Sequence, residues 1–242
     1  MRLEVLGVEG LPEIRAGDDL AELIAGAVEL EDGDVVCVAH KIVSKAEGRV
    51  VTLQGVEPSV RARELAGRDG DPRRVEVVLR ESARIVRSRP PLVIAQTRHG
   101  FVCASAGVDA SNAPEADTVV LLPEDPDASA AELRADLEQR TGRVLGVVVT
   151  DTFGRPWRFG IANVAIGASG IEVLRDLRGA HDPAGYELSS TVIAIADEIA
   201  AAAELVMGKI ERVPAAVVRG LDVGGNGTAR ELVIPPEQDL FR

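Results

Sequence analysis

Val147-Val148-Val149-Thr150-Asp151-Thr152-Phe153-Gly154-Arg155-Pro156-Trp157-Arg158 is the stretch on which the fold reading turns. Its β-branched apolar run predicts a buried strand that ends abruptly in polar residues, a glycine and a proline. An α/β protein places its chemistry just beyond the carboxyl end of such a strand. Asp151 and Thr152 supply hard oxygens suited to Mg²⁺ or Mn²⁺. Arg155 and Arg158 supply planar cations suited to phosphate or carboxylate. Read alone, the same letters also describe a turn capped by Asp151 with two solvated arginines. The choice depends on what the rest of the chain supplies.

Two other places deliver polar groups in a similar way. Val35-Val36-Cys37-Val38-Ala39 follows Asp32-Gly33-Asp34 and reads as a buried strand, with His40, Lys41, Ser44, Lys45 and Gly48 at its end. Lys45 is able to meet phosphate as a point charge, although a solvated lysine and a structural histidine fit the same residues. In Ala106-Gly107-Val108-Asp109-Ala110-Ser111-Asn112-Ala113-Pro114, Asp109 and Asn112 lie three apart between a glycine and a proline. A tight turn would point both into one cleft, one toward a metal and one toward a base or sugar. An Asx turn is the alternative.

The remaining chain reads as alternating helices and strands. Helices are expected from a cap at Asp18 to about residue 30, at 58–67, at 73–79, and at 127–141 between a cap at Asp127 and a stop at Gly142. A long Ala- and Ile-rich helix over 186–207 should be buried or form a subunit contact. Strands are expected at 2–7, 84–89, 92–95, 101–104, 119–122, 163–168, 171–174 and 214–219, with His99-Gly100 turning a hairpin. Residues 220–242 form a Gly- and Pro-punctuated tail in which Gly224-Gly225-Asn226-Gly227 reads as flexible.

Composition narrows the function classes. The 242 residues carry a net charge of −12, which argues against nucleic acid and anionic membranes as partners. Only 2% are aromatic against 46% apolar, so the core must be aliphatic and base stacking is not the mode of recognition. Cys37 and Cys103 sit in apolar runs and read as small buried hydrophobes. No apolar run approaches a membrane span, and the chain reads as soluble and cytoplasmic. Neither a GxxxxGK[ST] loop nor a dinucleotide glycine fingerprint is present.

Taken in order, five motifs resemble the coenzyme F420-0:L-glutamate ligase (F420 gamma-glutamyl ligase) family over nearly the whole chain. They are Gly10-Leu11-Pro12-Glu13-Ile14, His40-Lys41-Ile42-Val43-Ser44-Lys45-Ala46-Glu47-Gly48-Arg49, Gly107-Val108-Asp109-Ala110-Ser111-Asn112, the stretch from Asp151 to Arg158, and Glu204-Leu205-Val206-Met207-Gly208. The resemblance implies a GTP-dependent amide ligase that forms GDP and phosphate and needs Mg²⁺ or Mn²⁺, with K⁺ as a further candidate ion. It would add L-glutamate to the terminal carboxylate of coenzyme F420-0, or of a dehydro precursor, and then further γ-linked glutamates.

Residue by residue, the resemblance places Leu11, Pro12, Glu13, Ile14, His40, Lys45 and Asn112 on the guanine nucleotide. It places Asp109, Asp151 and Thr152 on metal ions. The segment Glu204-Leu205-Val206-Met207-Gly208-Lys209-Ile210-Glu211 would close on the nucleotide and contribute to a second metal. Position 40 is often a small hydroxyl residue in the family, and this chain has histidine there. Asp109, Asp151 and Lys45 are the expected catalytic groups, with Arg155 and Arg158 offsetting phosphate or carboxylate charge.

A homodimer is implied, and the chain reads as one such domain over 1–242, without the reductase-like domain fused to some actinobacterial relatives. The expected architecture is mixed α/β (α+β), with mixed sheets, packed helices and two intimately associated subdomains. The rival readings are another metal-dependent, nucleotide-using ligase or phosphatase acting on a different carboxylate, and a binding protein without turnover.

Overall fold

Val35-Val36-Cys37-Val38-Ala39 and Val147-Val148-Val149 read as unbroken apolar runs because helices and loops cover both faces of the central five-stranded sheet. The structure is a computed structural model, and it describes residues 2–240. In chain order it opens with β1 (Glu4–Gly7), α1 (Leu20–Ala27), β2 (Val35–Ala39) and α2 (His40–Ala46). A second group follows: β3 (Val50–Thr52), α3 (Val60–Ala66), α4 (Pro72–Glu81), β4 (Ser82–Arg89), β5 (Leu92–Thr97), β6 (Val102–Ala104) and β7 (Thr118–Val120). The chain then returns through α5 (Pro126–Thr141), β8 (Gly146–Arg155) and β9 (Arg158–Ser169). It closes with β10 (Arg175–Asp176), β11 (Val192–Ile193), α6 (Ile195–Met207) and β12 (Ala215–Arg219).

The central sheet has the order β1-β12-β2-β8-β9, antiparallel except for the parallel pair β2 and β8. Strand alternation sorts its side chains onto two cores. Val36, Val38, Val147, Val149 and Val217 pack with α1 and α5 on one face. Val35, Cys37, Val148, Ala216 and Val218 pack with α6 on the other. A third core, built around Leu65, Val75, Val78, Val93 and Val119, belongs to the segment between α2 and α5. That segment carries the sheet β4-β5-β6 and the ladder β3-β7. The result is the expected mixture of sheets and helices.

Both cysteines are free and buried, and burial pushes each thiol up to about 12. At Cys103 the nearby Asp151 charge adds to the effect. Neither is a nucleophile near neutral pH. Among the described residues no helix is long and apolar enough to cross a membrane.

Several local expectations are corrected. The central strand does not stop at Thr150 but runs to Arg155, because β9 pairs with it along that whole length. Asp151 and Thr152 therefore lie on a strand rather than beyond its end. The cap of α1 is Asp19, whose Oδ1 accepts the Glu22 N–H at 2.8 Å, while Asp18 accepts from Arg15 N–H in the preceding turn. That helix ends at Ala27, where Val28 turns extended. Likewise α5 is capped by Asp125. Asp127 instead accepts the backbone N–H groups of Ala168 at 2.9 Å and Ala229 at 2.7 Å, which ties the tail to β9.

The long helix expected over 186–207 begins only at Ile195. Residues before it pair in β11 with β10 and bridge His181 to Glu187, and β-branched Thr191, Val192 and Ile193 favour that course. The apolar face of α6 is buried within the chain.

Nor is Gly224-Gly225-Asn226-Gly227 a free linker. Gly224 bridges Ile171, and the N–H of Gly227 donates to Ile171 O at 2.8 Å. A Cβ on Gly225 would come within 2.7 Å of the Glu172 backbone, so glycine there permits close approach. Phe241 and Arg242, the end of the expected tail, lie outside the described residues.

One ion pair closes the end of the sheet opposite α2. Arg219, at the end of β12, meets the fully buried Asp34 through two hydrogen bonds of 2.8 Å and reaches Glu31 at 2.6 Å. Removing the guanidinium strands a buried carboxylate, so Arg219→Ala is expected to cost about 3 kcal/mol. Urea titration measures this. A loss below about 1 kcal/mol would place the pair with exposed ones.

Candidate active site

The two parallel strands have unequal lengths. β2 ends at Ala39, opposite Thr150, and turns directly into α2, whereas β8 continues to Arg155 with β9 as its partner. Past Thr150 the β2 side of β8 is open, and a cavity of about 930 Å³ lies there. Thr150, Asp151, Thr152 and Asn163 line its floor, and the loop from Leu11 to Ile14, the start of α2, the 109–114 loop and the segment after α6 form its walls.

Strand alternation sends Asp151 and Thr152 to opposite faces of β8. Asp151 meets α2, where its Oδ1 lies 3.3 Å from His40 Nε2. The His40 ring is 2% exposed, and its Nδ1 is 3.4 Å from Ser44 Oγ one helical turn on. Thr152 faces α6, where its hydroxyl donates to Asn163 Oδ1 at 2.7 Å and accepts from the Lys209 ammonium.

Helix α2 explains the two lysines. At i and i+4 they share one side of the helix. Lys41 Nζ lies 2.6 Å from Asp109 Oδ2 and donates to Ser111 Oγ at 2.6 Å. Lys45, with its side chain almost wholly buried, reaches Glu13 Oε1 at 2.5 Å. The solvated-lysine reading therefore fails for Lys45.

Asp109 makes the Asx turn and also faces the cavity. Its Oδ1 accepts the Ser111 N–H at 2.7 Å, which is an Asx turn, while Oδ2 takes Lys41 at the cavity wall. The turn leaves Asn112 at φ 54°, a left-handed conformation that asparagine tolerates. Burial raises the Asp109 pKa, but the Lys41 ammonium and the Ser111 donors outweigh it and hold the carboxyl below the usual range.

Most of the expected site residues converge on this cavity. Leu11, Pro12, Glu13, Ile14, His40, Lys45, Asp109, Asn112, Asp151, Thr152, Met207, Gly208, Lys209 and Ile210 all line it. Others do not. Arg155 and Arg158 pair across the tip of the β8–β9 hairpin, where Arg155 donates to Phe159 O. Glu204 lies behind the floor, accepting the Asn163 N–H at 2.8 Å and facing Lys209 Nζ at 3.3 Å. Leu205 is exposed, and Val206 and Glu211 line a smaller hollow beside the cavity.

Lys41, Ser111, Asn163 and Arg212 also line the cavity without having been assigned a role from the sequence. For Lys41 a usable signal existed, the four-residue spacing to Lys45. For Asn163 none did, because its place depends on the β8–β9 register that sets it opposite Thr152.

Hard oxygens from Asp109, Asp151, Thr152 and Ser111 suit a small divalent cation. Among the described residues no three His, Cys, Asp or Glu side chains form an all-protein cage. Mg²⁺ needs none, since one or two carboxylates with substrate phosphates and water complete its shell.

Comparison with known proteins shows the family. The profile of the F420-0:gamma-glutamyl ligase family matches residues 10–220. A Coenzyme F420:L-glutamate ligase of Methanopyrus kandleri is 51% identical, with 99% of each chain covered. The protein of that name from Archaeoglobus fulgidus is 47% identical over 100% of this chain and 97% of its own. That from Methanothermobacter thermautotrophicus is 44% identical over 100% of both.

The lowered Asp109 pKa makes a direct expectation. A depressed carboxyl contributes stability above its unfolded pKa, and that contribution is lost as pH falls through the folded value. Lys41→Met removes the main group opposing burial, so the Asp109 pKa should rise. Carbon-13 carboxyl titration by NMR reads this directly. An unmoved Asp109 would mean that Lys41 is not what holds it.

Proposed function

The chain belongs to the F420-0:gamma-glutamyl ligase family and is a ligase, and we propose that it joins L-glutamate to the terminal carboxylate of coenzyme F420-0 with GTP as activating co-substrate. The observation that carries this reading is the convergence of Asp109 and Asp151 with Lys41, Lys45 and Lys209 in one cavity of a chain whose net charge is −12. A polyphosphate needs such a local concentration of cations. An amide ligase needs it next to a second anionic substrate.

A carboxylate does not react directly with an amine, because its oxygen is too poor a leaving group. In the proposed sequence the terminal carboxylate oxygen attacks the γ-phosphorus of GTP and GDP departs, leaving an acyl phosphate. The glutamate amine then attacks the acyl carbon, inorganic phosphate leaves with the former carboxylate oxygen, and the amine proton passes to solvent or a basic side chain. The protein's part in the first step is alignment and charge neutralisation. Lys45 and Lys41 stand on one side of the cavity and Lys209 on the other, placed to meet phosphate oxygens from two directions. Asp109 and Asp151 would hold Mg²⁺ or Mn²⁺, which when bound withdraws charge from those oxygens. The walls formed by Leu11 to Ile14 and by Asn112 are assigned to the guanosine.

The same chemistry serves a dehydro precursor, which presents the same carboxylate, and repeats on the γ-carboxylate of a glutamate already added. We place the enzyme in the cytoplasm as one catalytic domain acting as a homodimer. The fully exposed Phe159 and the exposed Ile161 on the β8–β9 arm support an association between copies.

The decisive assay combines GTP, L-glutamate, Mg²⁺ or Mn²⁺ and F420-0, read by mass spectrometry. A ladder of single glutamyl increments that disappears without GTP is expected. Metal-dependent GTP turnover with no such increment would favour a ligase or phosphatase for a different carboxylate. Asp109→Asn and Asp151→Asn should each lower turnover about 100-fold or more while leaving the thermal transition in place. Wild-type turnover by Asp151→Asn would remove that residue from the mechanism.

A further inference from the structure

We propose that Asn163 is the positioning residue of this site, its side-chain amide holding the Thr152 hydroxyl and the Lys209 ammonium at one point of the cavity floor. The proposal rests on the ligase reading above.

Asn163 stands out on its own strand. It is 5% exposed, and the buried residues that follow it on β9 are Ala165, Ile166, Gly167 and Ala168. Asparagine is a poor strand residue, and a buried amide is costly unless its groups are paired. Here both its oxygen and its nitrogen have partners, and each partner belongs to the cavity or its support. Oδ1 accepts from Thr152 Oγ1 at 2.7 Å and from Lys209 Nζ at 3.4 Å. Nδ2 donates to Thr150 Oγ1 at 3.4 Å, and the backbone N–H donates to Glu204 Oε2 at 2.8 Å. An aliphatic residue would suit the strand. The amide suits the site.

Its position is set by a break in the ladder. Val149 pairs with Gly167 but Thr150 pairs with Ala165, so β9 carries one extra residue at Ile166. Such a bulge re-aims the side chains that follow it. Beyond it Asn163 lies directly opposite Thr152.

The hydrogen-bond directions have a chemical consequence. A threonine hydroxyl has one proton to donate. Thr152 gives its proton to Asn163, and its oxygen is left as an acceptor toward the cavity. That polarity suits Lys209 or another cation and repels a phosphate oxygen. Asn163 also shares Lys209 with Glu204, whose Oε1 lies 3.3 Å from Nζ, so the ammonium is drawn to the floor from two sides. Removing the amide frees the hydroxyl to rotate and leaves Lys209 with Glu204 and an unoriented Thr152.

The test uses Asn163→Leu, Asn163→Asp, Lys209→Ala and the Asn163→Leu/Lys209→Ala double variant in the full chain. Asn163→Leu should lower kcat about 100-fold, the effect of a misplaced group. Its KM for GTP should stay within about threefold, since the loss falls on the reacting geometry rather than on uniform binding.

Asn163→Asp keeps an acceptor for both partners. It should recover kcat to within about tenfold of wild type. The double variant should be no slower than the slower single variant, because both changes break one unit. Three results would overturn the proposal: wild-type kcat in Asn163→Leu, an Asn163→Asp enzyme as slow as Asn163→Leu at every pH, or multiplying losses in the double variant. The second holds even if the leucine variant is poorly folded, because the aspartate variant is also read against wild type. A wild-type chain that forms no glutamyl product would refute the ligase reading together with this one, whereas an active chain indifferent to position 163 would refute this one alone.

Discussion

β2 and β8 run parallel and hydrogen-bonded from Val35 and Gly146 to Ala39 and Thr150, and then part company. Backbone polar groups must find partners. β2 meets that demand by turning at once into α2, and β8 meets it by pairing with β9 alone. The wedge between them is the cavity. Its chemistry follows from the same divergence, since α2 brings His40, Lys41 and Lys45 to one side and β9 brings Asn163 to the other.

The electrostatics of the cavity have a common design. Lys41 is matched with Asp109, Lys45 with Glu13, and Lys209 with Glu204. Buried or half-buried charges need such partners, and each pair tolerates burial better than either member alone. An anionic substrate entering the cavity competes with these carboxylates for the lysines. A cation competes with the lysines for the carboxylates. Binding both together exchanges partners rather than adding bare charge, which is how an acidic protein can accept a polyanion.

Much of the frame was legible because aliphatic runs carry a strong period. Val35–Ala39 was read with its bounds as found, and the hairpin at His99-Gly100 and the stop at Gly142 follow from local rules. What was misread is instructive. Asp18 and Asp19 both offer a cap, as do Asp125 and Asp127, and only the backbone geometry at the first turn decides which carboxylate reaches an N–H group. Residues 186–194 carry enough apolar content for a helix, yet a two-residue ladder between Arg175–Asp176 and Val192–Ile193 holds them extended. Gly224 to Gly227 is glycine-rich for close packing against Ile171 to Val173, a purpose that composition cannot distinguish from flexibility.

The sequence by itself determined the class of the fold, the strands that build its centre and the types of group that the site would offer. Those properties depend on local periodicity and on the chemistry of single residues. Only the tertiary structure decided which groups meet. Lys41 joins Asp109 across 68 positions of chain, Asn163 joins Thr152 through a bulge at Ile166, and Arg155 and Arg158 stand at a hairpin tip away from the cavity they seemed placed to serve. Register and strand length are set by the packing of whole elements against one another, and no local pattern of residues encodes them.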